Sequence, residues 1–443
     1  MKEFNSIQPP ISKDLVEEIR KKIHIGEIGW ASIREIKKLA DEVEKATGIS
    51  FIRMEMGVPG LPATEIGVRA EIKALEQGVA AIYPDIHGIP SLKEEISRFV
   101  KNFLNISVSP EGCIPTVGSM QGAFASFLTV NRLYENKGTT LFIDPGFPVH
   151  KQQLRVLNQP FESFDVYNFR GRKLRAKLES LLDLGQISSI LYSNPNNPSW
   201  ICFTDEELAI IGDVANKYGI MVLEDLAYFA MDFRKDLSHP GIPPYQATVA
   251  HYTDNWIQFI SSSKAFSYAG QRIGMLVISD HLFNASFPNL KKFYTSDLFG
   301  HAMIFGTVYA LSSGTSHSAQ YALAAMLKAV NDGTYNFVEV VKEYGDKARI
   351  MKKLFLDNGF YLVYDKDEDE PLADGFYFTI AYPGLSGTDL LNRLFHYGIS
   401  AISLSITGSE HTEGLRACVS LVHRNQFPDL EERLKKFHAD HSK

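Results

Sequence analysis

SSILYSNPNNPSWICFTDEELAIIGDVANKYGIMVLEDLAY, residues 188–228, decides the fold. It opens with an apolar run, SSILYSNP (188–195), and closes with another, IMVLEDLAY (220–228). Between them TDEELAIIGDVANKYG (204–219) reads as a helix. Thr204 is its N-cap, acidic residues fill its first turn and Gly219 closes its end. Both flanking runs are apolar throughout, which predicts strands covered on two faces. The pattern continues outward in TTLFIDPG (139–146), WIQFISSSK (256–264) and RIGMLVIS (272–279). Strands alternating with helices predict an α/β fold with a mostly parallel sheet sandwiched by helices.

Beyond about residue 315 the pattern changes. A helix-rich stretch (319–358) leads into the acidic run DKDEDE (365–370), which reads as a solvated loop rather than a metal site. GFYFTIAY (375–382), a helix near 389–397 and LRACVSLV (415–422) then predict a smaller α+β domain. The helix SIREIKKLADEVEKAT (32–47) carries Ile33, Ile36, Leu39, Ala40 and Val43 on one face and needs a partner for it. Placing it on the late segment gives an N-terminal part of the small domain at 1–60, a large domain at 61–320 and a C-terminal small domain at 321–443.

A chain of 443 residues exceeds what one hydrophobic core usually supports. Its 45% hydrophobic and 22% charged content is that of a globular protein. A net charge of −7 gives no electrostatic reason to bind nucleic acid or an anionic membrane, so neither is expected as a partner. Cys113, Cys202 and Cys418 are far apart and offer neither a disulfide framework nor a zinc site, which predicts a reducing cytoplasm. Charges interrupt the first residues, MKEFNSIQPPISKDLVEEIR, too often for a signal-peptide core. The longest near-apolar run, 302–311, is far short of the ~20 residues of a membrane helix.

Polar residues cluster just after three of the predicted strands, where open α/β sheets bind ligands. They are Asn194 and Asn197, then Asp225 and Tyr228, then Ser261, Ser263 and Lys264. Turn formation accounts for any one set. It does not account for a lysine closing an apolar run. Burial there favours the neutral, nucleophilic amine, which suits imine formation with a carbonyl compound. Arg272, in GQRIGM (270–275), can hold a phosphate through paired hydrogen bonds. In TVGSMQGAFASFL (116–128) a glycine turn runs into a helix whose first N–H groups suit an anion. Reactive lysine, phosphate arginine and phosphate-binding helix start together suggest pyridoxal 5′-phosphate (PLP).

The ordered motifs MGVPGLP (56–62), YPDIHGIPSLKEEI (83–96), TVGSMQG (116–122), DPGFP (144–148), NPNNPS (194–199), DLAY (225–228), SSSKAFSYAGQRIG (261–274) and GLRACVS (414–420) resemble the fold-type I PLP enzymes of the aspartate aminotransferase superfamily, class I/II. The resemblance implies PLP bound covalently to Lys264 as a Schiff base, with Lys264 later moving the substrate proton. It implies that Asp225 pairs with the pyridine nitrogen and that Tyr228 and Asn197 bind the ring hydroxyl. Phe147 would stack on the ring, while the backbone of Ser119 and Met120, together with Ser261 and Arg272, would hold the phosphate. Tyr83 would reach the phosphate of a neighbouring subunit, implying a homodimer with shared active sites. Arg416, helped by Asn197 and the backbone of Gly57, would take the substrate α-carboxylate.

The implied reaction is amino transfer between an α-amino acid and a 2-oxo acid, by a ping-pong route through pyridoxamine phosphate. The same fold also serves β/γ-elimination, decarboxylation and 1-aminocyclopropane-1-carboxylate synthesis, which dependence on 2-oxo acids separates from transamination. A PLP-sensing regulator is disfavoured by the acidic chain and by the lack of an evident helix-turn-helix before Met56. Three features depart from the family pattern and leave substrate identity open. Trp200 stands where a glycine is usual, Ser403-Leu404 replaces a Pro-Gly pair, and the stretch 293–316 is long and apolar.

Overall fold

Thr204 caps its helix as the sequence predicts. Its Oγ1 accepts from the Glu207 N–H, and the Glu207 carboxylate accepts from the Thr204 N–H. Gly219 ends the helix at φ +59°, a left-handed conformation that suits glycine. In the computed structural model, which describes residues 9–442, this helix (Asp205–Tyr218) joins the strands Ile187–Ser193 and Met221–Leu226. The two pair in parallel, with Ser193 opposite Asp225.

They lie inside a seven-stranded sheet. Its order is Cys113–Thr116, Gly274–Ile278, Trp256–Ser261, Met221–Leu226, Ile187–Ser193, Thr139–Asp144, Phe161–Asp165. All neighbours pair in parallel except Gly274–Ile278, which runs antiparallel to the strand on either side. The reason the runs are apolar throughout is visible in the packing. Ile190, Tyr192 and Val222 enter the core on one face, while Leu191, Leu223 and Phe259 enter the core on the other. Each such side chain contributes about 1.5–3 kcal/mol when fully buried.

A further core gathers the two ends of the chain. Ile36, Leu39, Ala40 and Val43, on the helix Ile33–Thr47, pack with Leu390, Leu391, Leu394 and Phe395 from the helix Gly387–Phe395. The strand Ile52–Arg53 pairs in parallel with Ile399–Ser400. Beside them lies an antiparallel sheet ordered Ile402–Ser403, Leu415–Cys418, Tyr377–Ala381, Tyr361–Leu362. The first eight residues of the segment expected at 1–60 lie outside the described residues. Among the described residues, no helix is long and apolar enough to cross a membrane.

The acidic run 365–370 is mostly exposed, as its charge suggests, but it is a hairpin with one buried carboxylate rather than a loop. Lys366–Asp367 pairs with Glu370–Pro371 as a hairpin, and Asp367 is buried between Arg170 (3.0 Å) and Arg234 (2.9 Å). Its Oδ1 also accepts from the Cys202 N–H. Two guanidiniums and a backbone donor offset part of the desolvation of this one carboxylate, and burial still holds it above the usual carboxylate range.

Candidate active site

The parallel strands deliver their carboxyl ends to one edge of the sheet, and the polar sets predicted from sequence meet there. Lys264 comes one turn later than expected. The strand stops at Ser261, whose Oγ accepts from the Ser263 N–H at 3.1 Å, and Lys264 sits on the short helix Ser262–Ala265. Its Nζ donates to the Gly57 carbonyl and lies 5.6 Å from the Phe376 ring centroid. Burial, reinforced by Arg272 and Arg416, pushes the Lys264 amine down to about 8.

Asp225 is buried near the end of its strand. One carboxylate oxygen accepts from the Ala227 N–H at 3.0 Å; the other lies 3.2 Å from His150 Nε2. His150 is a site residue that the motif reading missed. It stands three places after Phe147 at the start of the helix Pro148–Val156, so the two share a helix face, and their rings meet at 5.5 Å. That spacing was the available signal. His150 Nδ1 is buried without a partner among the described residues.

Ser119 and Met120 occupy the first turn of the helix Gly118–Val130, where N–H groups lack intrahelical acceptors. Gly118 enters that helix at φ +66°, and a Cβ on it would fall 2.5 Å from an Arg272 guanidinium nitrogen. Likewise a Cβ on Gly274 would lie 2.8 Å from the Ser119 nitrogen. Two glycines thus let the arginine and the helix start approach one another. Arg272 is further fixed by donating to the Ala269 carbonyl at 2.8 Å.

Arg416, on the strand Leu415–Cys418, is 1% exposed. It donates to the Glu55 carbonyl and to Asn197 Oδ1 (3.4 Å), and its Nε has no partner among the described residues. Tyr228 is buried, with its hydroxyl 2.6 Å from that of Tyr377. Tyr83 is not drawn in with the others; it is 90% exposed.

Trp200 reshapes the loop after Asn197. It takes φ +67°, a conformation that costs a bulky residue about 1–2 kcal/mol. The strain is offset by packing: the indole is buried edge-on to Tyr228 at 5.4 Å. Room for it comes from Gly375, where a Cβ would lie 2.0 Å from an indole carbon. Gly375→Ala is therefore expected to lower stability by about 3 kcal/mol, read as a reduced urea midpoint. An unchanged midpoint would show that the indole can move aside.

The chain matches the family model described as aminotransferase class I and II over residues 55–377. It is 23% identical over 372 residues to an aspartate aminotransferase of Pyrococcus horikoshii, covering 82% of each chain. It is 24% identical over 329 residues to an LL-diaminopimelate aminotransferase of Natranaerobius thermophilus, covering 73% of this chain and 76% of that one. In structure it is similar to an aspartate aminotransferase of Thermotoga maritima, with a TM-score of 0.73 at 18% identity over 93% of this chain and 98% of that one. Matched across most of its length, the chain belongs to the class I and II aminotransferases, a PLP-dependent enzyme family.

Proposed function

We propose that this chain transfers an amino group between an α-amino acid and a 2-oxo acid by a ping-pong mechanism, with PLP attached at Lys264. The observation that carries the reading is convergence. An amine of lowered basicity, a buried carboxylate backed by a histidine, and Arg272 lie at one edge of the seven-stranded sheet, and Arg416, from the other sheet, reaches Asn197 at that edge. The residues fit PLP. The cradle at Gly118, which a Cβ would fill, faces the Arg272 guanidinium as a phosphate site requires. A carboxylate backed by His150 suits a protonated pyridine nitrogen. Arg416 keeps a buried N–H unpartnered, as a clamp awaiting a carboxylate would.

When bound, PLP supplies a carbonyl for the amine and a ring that stabilises negative charge at the substrate Cα. The chain's residues supply the rest. Ser119, Met120, Ser261 and Arg272 hold the phosphate, Phe147 covers the ring face, and Tyr228 with Asn197 binds the ring hydroxyl. Arg416, with Asn197 and the Gly57 backbone, orients the substrate through its α-carboxylate. Lys264, half neutral at about pH 8, is both nucleophile and carrier of the Cα proton.

Tyr83 calls for a second copy of the chain. It is exposed beside Ile72, Leu75 and Ile82, with Phe305 and Tyr309 exposed on a later segment, and His87 meets Phe305 at 4.9 Å. Apolar side chains left in solvent in this number favour an interface, and a homodimer would carry Tyr83 to the neighbouring site.

The test mixes holoenzyme with single amino acids, aspartate and LL-diaminopimelate among them because two relatives bear those names. Loss of the cofactor's visible band, reversed by a 2-oxo acid, is the expected result, from a particle of twice 49.6 kDa by light scattering. Product formation with no need for a 2-oxo acid would instead make the enzyme a lyase, and a monomeric active particle would reject the shared site.

A further inference from the structure

None of the motifs singles out Tyr377, yet it touches three of the groups on which the proposed reading rests. Its hydroxyl lies 2.6 Å from the Tyr228 hydroxyl. Its ring lies against the Arg416 guanidinium, 4.7 Å from carbon to centroid. The same hydroxyl presses so close to Gly57 that a Cβ there would be 2.0 Å away, and the Gly57 carbonyl is the acceptor for Lys264 Nζ. Tyr377 is 1% exposed, and the edge of Trp200 closes on its ring at 6.2 Å.

Two phenols joined by one hydrogen bond leave one proton over. If Tyr377 donates, the hydrogen of Tyr228 is free for a third group. If Tyr228 donates, its hydrogen is consumed within the pair. Burial raises both phenols above their ordinary range, so both remain neutral hydroxyls. The titratable and charged groups that also face the pair are Arg416 and Cys418. A phenol that accepts a hydrogen bond becomes a better donor through its own O–H. The Tyr377 ring acts separately, since a cation over an aromatic face is held in place by the ring's quadrupole.

We infer that Tyr377 is a positioning residue with two separable parts: its hydroxyl donates to Tyr228 and turns the Tyr228 hydrogen toward the cofactor's ring oxygen, while its ring holds the plane of the arginine that takes the α-carboxylate. The inference rests on the proposed roles of Tyr228 and Arg416 and adds what holds them.

The test uses holoenzyme of the wild type and of Tyr377→Phe, Tyr377→Leu and Tyr228→Phe. In each, the visible absorbance of bound PLP is titrated with pH without substrate, and KM is measured for the best amino acid of the screen. A donor to an anionic oxygen favours the deprotonated form of the cofactor's imine and lowers the midpoint, so losing it raises the midpoint. Tyr377→Phe is expected to raise it by about 0.3–1 unit, in the same direction as Tyr228→Phe but less, with KM within about twofold. Tyr377→Leu should in addition raise KM about fivefold or more. A Tyr377→Phe midpoint equal to wild type, with that of Tyr228→Phe displaced, would overturn the inference and leave the function standing. If Tyr228→Phe also left the midpoint unmoved, the role proposed for Tyr228 would fall first and the inference with it.

Discussion

Lys264→Ala is expected to reduce turnover by about four orders of magnitude or more. The substitution removes the nucleophile and the proton carrier together, and general base catalysis alone is worth about 10²–10⁴-fold. The purified variant should lack the visible band of an imine, and borohydride trapping should label no peptide containing residue 264. Turnover within tenfold of wild type would reject the assignment. The lowered basicity of Lys264 gives the prediction a pH dependence. Only the neutral amine attacks a carbonyl, and burial brings half-deprotonation down to about 8. Capture of PLP by the apoprotein should therefore accelerate as pH rises through about 8 and level off above it. An ordinary surface lysine would keep gaining up to about 10.4. A capture rate still climbing steeply beyond pH 9 would mean that the amine is not desolvated.

The second large effect concerns Asp225. Replacing it with alanine removes a preorganised charge, and a loss of about 3–4 kcal/mol in transition-state stabilisation is expected. This corresponds to a fall in kcat/KM of about 10²–10³-fold. PLP should remain bound, because the phosphate group's proposed partners at Gly118, Ser119 and Arg272 lie on other elements. A loss below about 1 kcal/mol would show that Asp225 is not the partner of the ring nitrogen. His150 makes the prediction sharper. With its Nε2 3.2 Å from the carboxylate, it is left facing an alanine in the variant, so a residual effect of its own should be small.

These expectations were legible where the signal is local. A capping box spans four residues, and Thr204 and Glu207 announce it without any knowledge of the fold. An apolar run buried on both faces likewise carries its own label. What could not be read was decided by partners remote in sequence. The strand Gly274–Ile278 inserts antiparallel between Cys113–Thr116 and Trp256–Ser261, which nothing in its composition reveals. Asp367 sits in a run of acids that looks solvated, yet its arginines are 197 and 133 residues away. Tyr228 and Tyr377 are separated by 149 residues, so only the fold brings their hydroxyls together. The motif residues Lys264, Asp225, Arg272 and Arg416 can be nominated from sequence because each lies in a short pattern; His150 and Tyr377 cannot, because each earns its place through a contact.

The loop carrying Trp200 is tied down from afar at several points. The indole lies over Gly375, the Cys202 N–H donates to Asp367, and the Asn194 carbonyl accepts from Gln246. Residues 194–203 are thus not a portable cassette. Grafting them into a relative without the matching glycine and aspartate would transplant a misfit, and directed evolution of this stretch would have to sample distant codons in concert.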